Sequence, residues 1–237
     1  MTTLARLERE IVRCRECPRL VKWREEVAAT KRAAFRDHDY WGKPVPGFGD
    51  ASAGLIVLGL APAAHGANRT GRVFTGDESG RWLYRALFRA GFANQATSIA
   101  RDDGLALKDA WVTATVRCAP PGNKPLPAEE DRCARYLARE VELFTRGGGA
   151  RVIVCLGGIA FDAALALCAD RGATIPRPKP RFAHGAEVIF GTPHPTLLAS
   201  YHPSQQNTFT RRLTEPMLDR VFTRARELLR RSREQTP

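Results

Sequence analysis

Four short, almost unbroken apolar runs constrain this chain more than any other feature: GLIVLGL (Gly54 to Leu60), AWVTATVRC (Ala110 to Cys118), VIVCL (Val152 to Leu156) and TLLAS (Thr196 to Ser200). A strand that is apolar at nearly every position is covered on both faces, which is the pattern of a parallel sheet. Segments with apolar residues at helical spacing separate the runs: Ser79 to Ala90, Glu129 to Phe144 and Ile159 to Ala169, with Glu215 to Arg231 as a terminal helix. Strands alternating with helices form right-handed βαβ units, so the fold class is α/β with helices on both faces of the sheet. Gly91 is placed to end the first of these helices. EVIF reads as a short extra strand, and the Pro-rich IPRPKPRF as a loop. No internal repeat and no linker divides the core, so residues 1–237 form one domain.

Composition narrows the classes. At 237 residues and 43% hydrophobic, the chain can bury a sizeable core. No run approaches the roughly 18 apolar residues of a membrane span. MTTLARLERE has no apolar signal-peptide region, so a cytoplasmic location is expected. A net charge of +12 points to a polyanionic partner, above all nucleic acid.

The six cysteines fall into distinct settings. Cys155, within the third apolar run, and Cys168, within FDAALALCAD, read as core thiols. Cys14 and Cys17 form CRECP, where Pro18 is expected to end the preceding helix. Cys118 and Cys133 flank APPGNKPLPAEEDR. Four thiolates suit either a structural zinc or an iron–sulfur cluster. The wide second spacing is unlike a zinc ribbon and leans toward [4Fe–4S].

In parallel sheets ligands bind beyond the carboxyl ends of the strands. There this chain carries APAAHGANRTGRVFTGD, RCAPPGNKP, GGIA and YHPSQQNTFT. The first loop matches neither a phosphate loop nor a dinucleotide fingerprint. Its Asp77 suits a helix cap and equally a carboxylate facing the crevice. His202, directly after the fourth run, belongs at the rim of the same crevice.

Together GLAPAAHGANRTGRVFTGDESG, RCAPPGNKP, YHPSQQNTFTRRLT and CRECP with Cys133 resemble the family 5 (type B) uracil-DNA glycosylases, from about Cys14 to about Leu213. The resemblance implies a three-layer α/β/α sandwich around a four-stranded parallel sheet. It implies a [4Fe–4S] cluster on Cys14, Cys17, Cys118 and Cys133. It also implies excision of uracil, and of other deaminated bases such as hypoxanthine, from DNA by a monomer. Other branches of the superfamily place an Asp, Asn or Glu where this chain has Leu60, and an Asn where it has Ala114. Type B enzymes share the first lack, and Asp77 matches the residue proposed to replace it. A pocket without a dedicated donor rejects fewer bases.

The roles that follow are expectations. A base inside a duplex is out of reach until it is flipped out. Phe74 would stack on it, Asn123 and the backbone at Ala61 and Ala63 would contact it, and His202 would meet the charge growing on it. Asp77 would orient water. Arg69, Arg72, Lys124 and Arg211 would hold phosphates, and Gln205, Gln206 and Asn207 would wedge into the emptied stack. No lysine lies among the expected catalytic groups, so simple hydrolysis is expected rather than Schiff-base chemistry. A non-catalytic iron–sulfur DNA-binding module is the alternative. Covalent capture of the abasic site would need a basic insertion before the histidine, and TLLASYHPS has none.

Overall fold

The apolar runs become the centre of one twisted sheet. A computed structural model describes residues 3–146 and 150–234, except for the side chains of Arg233 and Glu234. The central strands are β2 (Leu55–Gly59), β3 (Ala110–Ala114), β4 (Val152–Leu156) and β6 (Thr196–Ser200). They pair in parallel, with Val57 opposite both Val112 and Val154, and Val154 opposite Leu198. Two edge strands, β1 (Phe48–Gly49) and β5 (Glu187–Val188), pair antiparallel to β3 and β6. The order is β1-β3-β2-β4-β6-β5, so the sheet has six strands where four were expected. EVIF supplies β5, whereas β1 offers two residues and no periodicity to read.

Period-two alternation sorts each strand between two cores. Leu55, Val57, Val112, Val154 and Leu198 face α4 (Glu78–Arg89) and α8 (Glu215–Glu234), meeting Leu83, Leu87, Val221 and Phe222. Ile56, Leu58, Ile153, Cys155 and Leu197 face the other way, onto α5 (Pro127–Thr145) and α6 (Gly158–Asp170). Leu137, Val141, Phe161 and Cys168 complete that second core. The result is the expected α/β/α sandwich, with Cys155 and Cys168 buried in it.

Helix α4 stops in a Schellman turn. Gly91 takes φ 74° and donates to the Phe88 carbonyl at 2.9 Å, while Phe92 donates to Leu87 at 2.8 Å. The N-terminus forms α1 (Leu4–Arg13) and α2 (Pro18–Thr30). Pro18 therefore opens a helix instead of closing one. At the first helical position its missing N–H costs nothing, because that donor has no partner within the helix. Two short helices, α3 (Ala67–Thr70) and α7 (Gln205–Phe209), lie in the loops that follow β2 and β6.

Candidate active site

Strand β2 ends at Gly59, where the Phe74 ring leaves no room for a side chain. A Cβ at Gly59 would lie 2.6 Å from Phe74 Cζ, and one at Gly80 would lie 1.8 Å from the Phe74 carbonyl oxygen. The loop between them folds back so that the phenyl ring lies over the strand end. To do so Phe74 adopts φ 51°, a left-handed conformation rare for a bulky residue. Strain of this kind persists where the surroundings over-determine it, and it gathers at functional sites.

Around that ring is a cavity of about 340 Å³, lined by Ala61, Ala63, Phe74, Asp77, Ala114 and His202, among others. Its residues come from the ends of β2, β3 and β6, as the crevice rule requires. The Phe74 and His202 rings stand 5.8 Å apart, tilted by 35°. Gly157 sits beneath the histidine at φ 100°, a conformation side chains rarely adopt, and an added Cβ would only touch His202 Cβ at 3.6 Å. Burial pulls the His202 pKa down to about 4, so near neutral pH the ring is an uncharged imidazole.

Asp77 satisfies both readings of its sequence position. Its Oδ1 accepts from the Gly80 N–H at 2.9 Å and so caps α4. The same carboxyl lines the cavity. Its Oδ2 lies against Gly66, where an added Cβ would approach to 2.0 Å, so residue 66 has to be glycine. Burial raises the Asp77 pKa above the ordinary aspartate value, while the Gly80 N–H and nearby Arg69 pull it back. Ser79 also lines the cavity. Sequence reasoning missed it, although it stands two residues from Asp77.

Other expected site residues lie elsewhere. Arg69 is buried, its guanidinium donating to the His65 and Gly76 carbonyls at 2.8 and 2.9 Å and stacking on Phe35. Arg72 is 3% exposed and holds both Asp103 oxygens at 2.8 Å, with Ser98 and Thr75 as further partners. Both arginines build the loop and present no charge to a phosphate. Asn123 is exposed at φ 58° in the turn after β3 and does not line the cavity. Asn207 is tied down, its Nδ2 donating to the His202 carbonyl at 2.9 Å. It therefore holds the histidine loop and is not a free wedge. Gln205, Gln206, Lys124 and Arg211 are exposed. So is Phe209, at 74%, an apolar side chain on α7 that sequence reasoning passed over.

Cys14, Cys17, Cys118 and Cys133 line a second cavity, of about 360 Å³, walled by Leu20, Val21, Val116 and Tyr136. Arg24 Nη1 lies 2.9 Å from Cys118 Sγ, and the Arg117 N–H points at Cys133 Sγ from 3.3 Å. Burial pushes the Cys118 thiol up to about 12 and the Cys133 thiol up to about 11. Among the described residues no group of three or more His, Cys, Asp or Glu is arranged to hold a metal ion. Four sulfurs line one largely apolar cavity, and two of them are met by N–H donors, a donor set that suits a structural zinc or an iron–sulfur cluster.

The uracil-DNA glycosylase superfamily model matches residues 46–226, the span that holds the whole sheet. The chain belongs to that superfamily, in its type-5 branch. It is 54% identical to a type-5 uracil-DNA glycosylase of Mycobacterium tuberculosis, over 91% of this chain and 78% of the relative. A type-5 enzyme of Mycobacterium leprae is 51% identical over 95% and 96%. One from Thermus thermophilus is 50% identical over 91% and 93%. Membership makes the chain a hydrolase of N-glycosyl bonds in DNA and places it in DNA repair. Within the superfamily fold, the cavity at Phe74, Asp77 and His202 lies at the carboxyl ends of the central strands.

Proposed function

We propose that the chain excises uracil, and other deaminated bases such as hypoxanthine, from DNA by simple hydrolysis, with Asp77 and His202 on opposite sides of the scissile bond. The observation that carries this reading is that one carboxylate and one neutral imidazole line the same cavity beside an aromatic ring. The flipped base stacks on Phe74. As the bond breaks, the base gains negative charge and the sugar gains positive charge. His202, neutral near pH 7, donates a hydrogen bond to the base where that charge develops. Backbone groups around Ala61 and Ala63 line the same wall. Asp77 orients the attacking water and offsets the sugar's charge, an effect strengthened by the low dielectric around it. Its bond to Gly80 fixes the carboxylate before substrate arrives.

Ala114 determines breadth. It lines the cavity without a polar side chain, so no fixed donor or acceptor there rejects a purine such as hypoxanthine. Cys14, Cys17, Cys118 and Cys133 would hold a [4Fe–4S] cluster. Bound there, it would act as a structural cross-link between the N-terminal helices, the end of β3 and α5.

Release of free base from a panel of duplexes carrying uracil, hypoxanthine or xanthine tests the reading. Uracil and hypoxanthine are expected as products, with an intact abasic strand and no borohydride-trapped adduct. Excision of uracil alone would remove the broad-pocket argument, and no release at all would remove the catalytic one.

A further inference from the structure

With Arg69 and Arg72 turned inward, a chain of net charge +12 needs other cations at the mouth of its cavity. The Pro-rich stretch IPRPKPRF supplies them. Strand β5 runs antiparallel to β6, with Glu187 opposite Leu198. Tracing the chain back from Glu187 therefore follows β6 forward. Gly185 donates to the Ala199 carbonyl at 2.8 Å, and the Tyr201 N–H meets His184 Nδ1 at 3.2 Å. The chain before His184 thus meets the carboxyl end of β6 beside Tyr201 and His202, and from Phe182 back to Ala173 it runs along α6, with Phe182 against Phe161 and Ala173 donating to the Cys168 carbonyl. Phe182 anchors it, with its ring 6.0 Å from that of Tyr201, the neighbour of His202.

Three prolines, Pro176, Pro178 and Pro180, alternate with Arg177, Lys179 and Arg181 and restrict the backbone between the cations. Lys179 reaches Asp162 of α6 at 3.3 Å. Arg177 and Arg181 are exposed, and neither guanidinium has a hydrogen-bond or acidic partner among the described residues. Arg212 joins them from the other side, stacked 4.6 Å over the Tyr201 ring. Cations on a stiff segment that leads to the carboxyl edge of the sheet lose little freedom on meeting an anion.

We propose that the loop from Pro176 to Phe182 is a DNA-backbone clamp, Arg177 and Arg181 each meeting a phosphate of the duplex that flanks the flipped base. It rests on the chain acting on DNA and assigns the phosphate contacts that Arg69 and Arg72 cannot make. The clamp holds the duplex on the β6 side of the cavity, where Lys124, beyond β3, does not reach.

The test is binding of the full-length protein to a duplex carrying a non-hydrolysable 2′-fluorodeoxyuridine, measured across a salt series. Each lost phosphate contact lowers the log–log slope by about 0.9, so R177A/R181A is expected to lower it by about 1.8. R177Q/R181Q should match it, which guards against a defect peculiar to alanine, and R177K/R181K should keep the wild-type slope. R230A/R231A removes equal charge from exposed positions near the far end of α8 and should change the slope far less. A wild-type slope in both neutral pairs overturns the clamp. So does an equal fall in R230A/R231A, which would make the effect one of bulk charge. Failure of the wild-type protein to release uracil would instead count against the catalytic reading, and that assay is separate from the slope.

Discussion

Asp77 caps a helix and lines the cavity at the strand ends with one carboxyl group, and the two duties separate on mutation. Asp77→Asn keeps an oxygen to accept from Gly80 but loses the charge. Its excision rate should fall by about 10²–10⁴-fold, the usual contribution of a positioned base. Because burial raises the Asp77 pKa in the folded state, its stabilising contribution is full below the unfolded value and is lost as pH rises through the folded one. Asp77→Asn should therefore be at least as stable as wild type at neutral pH in a thermal melt, with the gap closing in acid. In wild type the excision rate should fall as pH drops through a value above that of an ordinary aspartate, and this limb should be missing in Asp77→Asn. His202, with its pKa near 4, titrates too low to affect the neutral range. His202→Ala should cost about 10²–10³-fold, as for a lost oxyanion-type donor. A more acidic leaving base, such as a halogenated uracil, should shrink that loss, because less charge then needs stabilising. A loss independent of the base would assign His202 to positioning instead.

Among the elements, the strands and long helices were legible because their pattern is local. Each central strand is a run of apolar residues, and Gly91 marks the end of α4 by a turn that glycine favours. Long-range pairing is not written in that way. Arg72 read as a phosphate ligand because arginine in a loop is usually exposed, yet its partner Asp103 stands thirty-one residues away in a segment with no regular structure. Removing one member of a buried pair leaves an uncompensated charge, at a cost of about 3–5 kcal/mol. Asp103→Ala should lower the denaturant midpoint accordingly, and it should leave the salt dependence of DNA binding untouched. A changed salt slope with unchanged stability would restore Arg72 to the DNA. The N-terminal helices are a different case. Leu7, Ile11 and Leu20 bury their side chains mainly around Tyr136, Val116 and Cys14, Cys17, Cys118 and Cys133, away from the two main cores. If those thiols hold the proposed cluster, the docking of the N-terminal helices depends on it as well as on ion pairs such as Arg139 with Glu10 and Arg19 with Glu129. Iron and acid-labile sulfide should be found in equal amounts, and Cys133→Ala should lose both while exposing residues 3–30 to protease. Stoichiometric zinc without sulfide would replace the cluster by a single ion.

Across the whole molecule, the net charge of +12 indicated a polyanionic partner but not which cations meet it. Burial makes that choice. Arginines inside the fold, such as Arg24, Arg69 and Arg72, stabilise loops and sulfurs, Arg117 ties β3 to α5 through Thr113 and Glu140, and exposed ones remain for the substrate. Lys124, after β3, and Arg211, after α7, are exposed on separate loops at the carboxyl edge of the sheet. If a duplex lies across that edge, the two contacts act independently, because they meet phosphates on different sides of the flipped base. K124A and R211A should each lower the log–log salt slope by about 0.9, and the double variant by about 1.8. Sites with no shared partner add in this way, and sites sharing one phosphate do not. Single-turnover excision at saturating enzyme should stay within a few-fold of wild type, since neither side chain lines the cavity. A double variant whose slope falls no further than either single would put Lys124 and Arg211 on one phosphate, and the duplex would then have to cross the edge in another direction.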